Sequence, residues 1–152
     1  MNLIKKQGGL LLFAILLIVL MYQFPKSVVE NELTKNKVVE TTSIEAAVNL
    51  LEGDNPMEGI FMLRDIVLKN PKNTQALYYL GDLSLQTGQY ENAIKRFNQV
   101  LSVDSSDKRA YLQLGISYYG LEDYEKANSF FQTIKDLNDS TLIKELNIFL
   151  MN

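Results

Sequence analysis

Residues 76–97 and 110–131 are one unit written twice, 34 residues apart. Without a gap, Ala76, Leu80, Gly81, Tyr90, Glu91, Ala93 and Phe97 fall on Ala110, Leu114, Gly115, Tyr124, Glu125, Ala127 and Phe131. No other feature constrains the fold as much. A self-similarity of this period, carried by small and aromatic residues, is that of a helical hairpin. One hairpin cannot bury its apolar face alone, so copies stack and share a core. The chain therefore reads as all-α, and a stack of this kind presents an extended binding surface rather than a catalytic pocket.

The repeated small residues have a packing reason. Gly81 and Gly115 fall in mid-helix, where glycine costs about 1 kcal/mol relative to alanine. That cost is tolerated where a partner must approach closely. Ala93 and Ala127 suit the same crossing from the second helix, and Phe97 and Phe131, one turn later, fill the space between hairpins. Tyr90, Tyr111, Tyr118 and Tyr124 are read as packing groups before any ligand role.

In the second copy Tyr111, Leu114-Gly115, Tyr118 and Ala127 followed by Phe131 resemble the signature of the tetratricopeptide repeat family. The first copy carries Leu80-Gly81 and Ala93 followed by Phe97, with Leu77 in the aromatic slot and Ser84 in the tyrosine slot. Ser105 and Asp139 stand where the family closes with proline. The resemblance implies a right-handed solenoid of about three helical hairpins with a C-terminal capping helix. It also implies that the first helix of each hairpin lines a concave groove for other proteins.

Shifting back by one period reveals a degenerate copy. Ala46-Ala47 take the Leu-Gly slot, Gly59 and Leu63 the Ala and Phe slots, and Pro71 the closing proline slot. Thr42 with Glu45 has the spacing of a capping box. Asn55-Pro56 reads as an N-cap followed by proline at the first helical position. Asn70-Pro71 ends that helix, and Asn73 caps the next. The repeats thus occupy residues 42–139, the best copies being 74–107 and 108–139. Residues 140–152 form a mostly apolar capping helix; Ile148 and Met151 on its open side are read as simple capping before any contact with a partner.

The amino terminus has a different character. Residues 8–24 carry no charge and would span roughly 25 Å as a helix, slightly less than a bilayer core of roughly 30 Å. Tyr22 suits one interface, and Lys5 and Lys6 the other. The expectation is one transmembrane helix. A cleaved signal peptide fits less well, because Met21, Tyr22, Gln23 and Phe24 are too bulky for a small-residue cleavage site. Lys5 and Lys6 before the helix against Lys26 after it put residues 1–7 in the cytoplasm and the repeats on the far side, periplasmic in a bacterium. Residues 25–41 read as a polar tether.

Composition removes several function classes. The chain has no His and no Cys, so the usual general base, thiol nucleophile and soft metal ligands are missing. No glycine-rich phosphate loop occurs. The expectation is a non-enzyme with no cofactor and no metal. From residue 40 onward, 16 acidic residues oppose 10 basic ones, which speaks against nucleic acid as a partner. Acids such as Asp104, Asp107, Glu122 and Asp123 fall at turns, where they cap the following helix. Asp54-Asn55 resembles a fragment of a calcium loop, but the alternating oxygen ligands do not follow.

With Leu80-Gly81 and Leu114-Gly115 turned into the stack, the open side of the first helices carries Gln75, Tyr78, Tyr79, Asp82 and Gln86. In the next hairpin it carries Arg109, Leu112, Gln113, Ile116 and Tyr119. Ile44, Val48 and Leu51 extend this groove into the degenerate copy, or pack the tether or another subunit. Arg109 is its one base, so the Lys, Asn and Arg cluster with which some relatives hold a terminal carboxylate is missing. The implied partner is an apolar or helical peptide segment, with the lipid bilayer engaged through residues 8–24. Two functions fit: an adaptor or scaffold for an envelope protein complex, and an assembly chaperone that transiently holds unfolded clients.

Overall fold

A computed structural model describes residues 43–151. The expected membrane helix at 8–24, its flanks 1–7 and 25–41, and Thr42 of the expected capping box lie outside the described residues. Among those residues there are seven helices and no strand. They are α1 over residues 43–52, α2 (Pro56–Lys69), α3 (Thr74–Gln86), α4 (Tyr90–Val103), α5 (Lys108–Gly120), α6 (Tyr124–Asp136) and α7 (Ser140–Met151). No helix among them is long and apolar enough to cross a membrane.

Short polar residues start most of these helices. The side chains of Asn73, Asp107 and Asp123 accept from the backbone N–H of Ala76 (2.9 Å), Ala110 (3.0 Å) and Lys126 (3.2 Å). Each satisfies one of the donors a helix leaves orphaned at its start. The Asp139 carboxylate accepts from Thr141 N–H at 3.2 Å and Leu142 N–H at 3.3 Å, and so opens α7. Pro56 occupies the start of α2, but the Asn55 side chain makes no capping bond, against expectation. Proline there removes one donor itself, and Asn55 serves through its carbonyl, which accepts from Glu58 N–H at 3.1 Å. The α2 helix stops at Asn70, before Pro71.

Short turns fold each helix back on the one before, and consecutive helices pack in pairs. The close approach at the glycines is to a ring. A Cβ on Gly81 would lie 2.6 Å from the edge of Phe97, and one on Gly115 would lie 2.5 Å from Phe131. Phe97 and Ala93 are fully buried, as is Ala127. In the degenerate hairpin the neighbour is backbone instead: a Cβ on Gly59 would lie 2.6 Å from the carbonyl oxygen of Ala47. Leu63 is fully buried and Ile44 nearly so, in one cluster with Val67 and Leu77. Val48 and Leu51 pack against that cluster. These three α1 residues are therefore core, not an extension of an open groove. Hairpins join in the same way, since the Tyr90 ring at the start of α4 lies where a Cβ on Gly120 would fall.

The candidate binding cleft

On α3, Thr74, Gln75, Tyr78, Tyr79 and Asp82 recur at the spacing of one helix face. That face is open because Leu77, Leu80 and Gly81 occupy the opposite one and are buried. Arg109, in the first turn of α5, reaches back across the joint between hairpins. Together these six residues line a cleft of about 420 Å³.

The cleft is held by its own polar contacts. Arg109 Nη2 donates to Asp82 Oδ2 at 3.0 Å, and its guanidinium lies 4.6 Å from the centre of the Tyr78 ring. The Tyr78 hydroxyl donates to Asp107 Oδ1 at 2.6 Å, the same oxygen that caps α5. Burial, then the bond to Asp107, pushes the ionisation of Tyr78 far above the ordinary phenol range, so the group stays a donor. The Tyr78 ring also packs on Phe97, with centroids 5.8 Å apart. Burial raises the Asp82 carboxyl above the usual carboxylate range; Arg109 opposes the shift and Glu145 of α7 adds to it. The Arg109–Asp82 pair is partly solvated, with side chains 53% and 30% exposed, so it contributes at most about 1 kcal/mol. It sets direction more than stability.

Of the residues expected on an open groove, the structure brings Gln75, Tyr78, Tyr79, Asp82 and Arg109 into this cleft. Gln86 is exposed at the end of α3, away from the cleft lining. The remaining four lie differently. Leu112 is fully buried and Gln113 nearly so. Ile116 packs against the cluster formed by Leu112, Phe131, Ile134 and Leu146. Tyr119 is 42% exposed, as expected, but lies outside this cleft, meeting Phe149 edge-on at 5.3 Å and Tyr124 at 5.2 Å. The cause is α7, which lies against α5 and α6 and covers the face of α5 that corresponds to the open face of α3. Thr74 and Asp107 were missed. Both stand at helix starts, where a cap explains a small polar residue without a second role. The period puts Asp107 in the slot of Asn73 and so accounts for its cap, but not for its bond from Tyr78 across the joint.

The architecture is that of a helical-hairpin repeat array, a class of interaction scaffold. A family profile described as TPR repeat matches residues 81–122. Two profiles described as tetratricopeptide repeat match residues 44–101 and 109–139. Residues 44–139 are therefore built of tetratricopeptide repeats, and arrays of this family are typically protein-interaction modules rather than enzymes. A TPR repeat-containing protein of Methanocaldococcus jannaschii is 32% identical over 75 residues, covering 48% of this chain. Tetratricopeptide repeat protein 12 of Mus musculus is 28% identical over 81 residues, covering 53% of it. The matches span only 12% and 10% of those two proteins. Among solved structures, the MamA RS-1 ArsTM double mutant superposes with a TM-score of 0.60 at 22% identity, over 72% of this chain and 62% of that one. That likeness is one of fold.

Proposed function

We propose that the array is the recognition domain of an adaptor in an envelope protein complex. It is held at the membrane by residues 8–24, with the amino terminus cytoplasmic and the repeats on the far side. The cleft between α3 and α5 takes a short peptide segment of the partner. The observation that carries this reading is the cleft itself: about 420 Å³ of open space beside Tyr79. Among the described residues, the Tyr79 ring stacks on no other ring and its hydroxyl makes no hydrogen bond. An aromatic face with a hydrogen-bonding tip suits a peptide with an apolar side chain and an accessible main chain.

The test is photo-crosslinking in the native cell, with a benzophenone side chain replacing Tyr79 or, on an outward helix, Lys95. One stoichiometric adduct from position 79 and none from position 95 supports the adaptor. Many weak adducts from position 79 favour the chaperone. Adducts from position 95 alone would move the binding site to the outer surface. A reporter joined after Asn152 tests the topology: activity in the cytoplasm would overturn the orientation, and a mature chain starting near residue 25 would overturn the anchor.

A further inference from the structure

The cleft already holds one cation, and the way it does so indicates what else it would take. Arg109 uses the Tyr78 face and a single oxygen of Asp82. The Asp82 Oδ1 atom accepts no hydrogen bond among the described residues, and Asp82 lines the cleft together with Tyr79, whose half-buried ring packs partly on the core but stacks on no other ring. Half of an aromatic-and-carboxylate cation site is thus filled from within and half is open.

The charges around the cleft point the same way. Asp82 lines it, Asp107 bonds to its Tyr78 wall, and Glu145 adds negative potential at Asp82. Against these three acids stands Arg109. Lys108, next to Arg109 in the chain, faces Asp139 at 3.5 Å. The array as a whole carries 16 acids and 10 bases from residue 40 onward, which draws cationic segments toward it. An acidic ligand group would have to approach Asp82 and Glu145 to reach an arginine that is already paired.

We infer that the peptide proposed above to fill the cleft presents a basic side chain there, lysine or arginine, seated between Asp82 and the Tyr79 ring; this rests on the cleft being the recognition site. The ligand cation donates to Asp82 Oδ1 and lies over Tyr79, as Arg109 does over Tyr78. Arg109 is then both a wall of the site and an internal competitor for the same carboxylate.

The experiment uses the purified full-length chain and three labelled peptides, alternating serine and leucine around one central residue: arginine, citrulline or glutamate. Citrulline keeps the shape of arginine without its charge. Fluorescence anisotropy at low and at physiological salt reads the affinities. The arginine peptide is expected to bind about tenfold more tightly than the citrulline peptide, with the gap narrowing as salt rises. Asp82→Asn should erase most of that gap. Tyr79→Ala should weaken both peptides. Arg109→Gln, which frees the carboxylate, should tighten the arginine peptide by about two- to fivefold, the range of an exposed ion pair. Circular dichroism of each variant verifies its fold. Equal binding of the arginine and citrulline peptides overturns the inference. So does tightest binding of the glutamate peptide with loss on Arg109→Gln; in that case the cleft remains a peptide site of opposite preference. If Tyr79→Ala and Asp82→Asn change nothing for any peptide, the cleft is not the recognition site and both readings fall.

Discussion

Replacing Gly81 by alanine sets two effects of opposite sign against each other, and the structure decides between them. Helix propensity alone favours the change by about 1 kcal/mol, because Gly81 lies inside α3. The new methyl group, however, would sit 2.6 Å from two ring carbons of Phe97, well inside contact distance. Phe97 is fully buried beside Ala93 and Leu114, with the Tyr78 ring tilted against it, so the ring has nowhere to retreat. Overpacking of this kind costs about 1–3 kcal/mol. The net expectation for Gly81→Ala is a loss of about 1 kcal/mol, or about 4 °C in melting temperature for an array of this size. Thermal unfolding followed by circular dichroism measures it. A second background sharpens the test. In Phe97→Leu the ring edge is gone, so the same alanine should now stabilise by close to its full propensity gain. Additivity of the two changes would refute the reasoning, as would a Gly81→Ala chain that melts higher than the parent, because either result means the ring is not pressed against that backbone.

Three further outcomes follow from named contacts. Glu122 holds φ 62 where the preceding repeat has Gly88 at φ 70; the left-handed region costs an ordinary residue about 1–2 kcal/mol, so Glu122→Gly should raise the melting temperature and Gly88→Ala lower it. Leu146→Ala empties a fully buried site among Leu112, Phe131 and Ile134 and should cost about 2–5 kcal/mol, whereas Met151→Ser at an exposed position should stay within about 0.5 kcal/mol, both read by urea titration. Acid should destabilise the array: the Asp139 carboxyl is held below the usual range by its bond from the Leu142 N–H, and Asp123 by its bond from Lys126. The unfolded chain therefore binds these protons first, the stabilisation is complete above about pH 4 and is lost as pH falls through the folded-state values, and Asp139→Asn, which still caps, should flatten that part of the melting profile. Asp82 runs the other way, because burial raises its carboxyl and its ionisation opposes folding.

Much of the fold was legible because one packing problem is solved repeatedly with the same residues. Leu80-Gly81 over Phe97 and Leu114-Gly115 over Phe131 need small, flat and large partners at fixed spacing, and that need repeats with the helices. Once Leu80 and Gly81 are turned inward, helical phase alone puts Gln75, Tyr78, Tyr79 and Asp82 on the open side. The same reasoning failed for Leu112 and Gln113, which are buried, and for Ile116, which packs on the α5–α7 cluster, whereas Tyr119 stays exposed. Phase says which way a side chain points, but not whether another helix lies over it. In the degenerate copy, Ile44 was read outward because Ala46-Ala47 resemble Leu-Gly too weakly to fix the phase of α1.

What covers α5 is a change of period. Asn73 and Asp107, the caps of α3 and α5, are 34 residues apart, but Asp107 and Asp139, the caps of α5 and α7, are only 32 apart. One residue is lost from the helix, α6 being 13 residues where α4 has 14, and one from the turn, where Asn138 takes φ 50 to close a shorter link. In this shorter register Leu146 falls on Leu114, and both are fully buried. The same shift puts Phe149 in the slot of Ser117, and its ring meets Phe131 at 6.1 Å and Tyr119 at 5.3 Å. An aromatic in the slot that holds Leu83 on α3 and Ser117 on α5 packs on α5 from the next helix along. In that slot α5 itself carries only Ser117, and Arg109, whose counterpart on α7 is Thr141, pairs at the cleft margin rather than filling it. The ring of Phe149 on α7, where α5 itself carries Ser117, thus separates a closed face on α5 from an open one on α3.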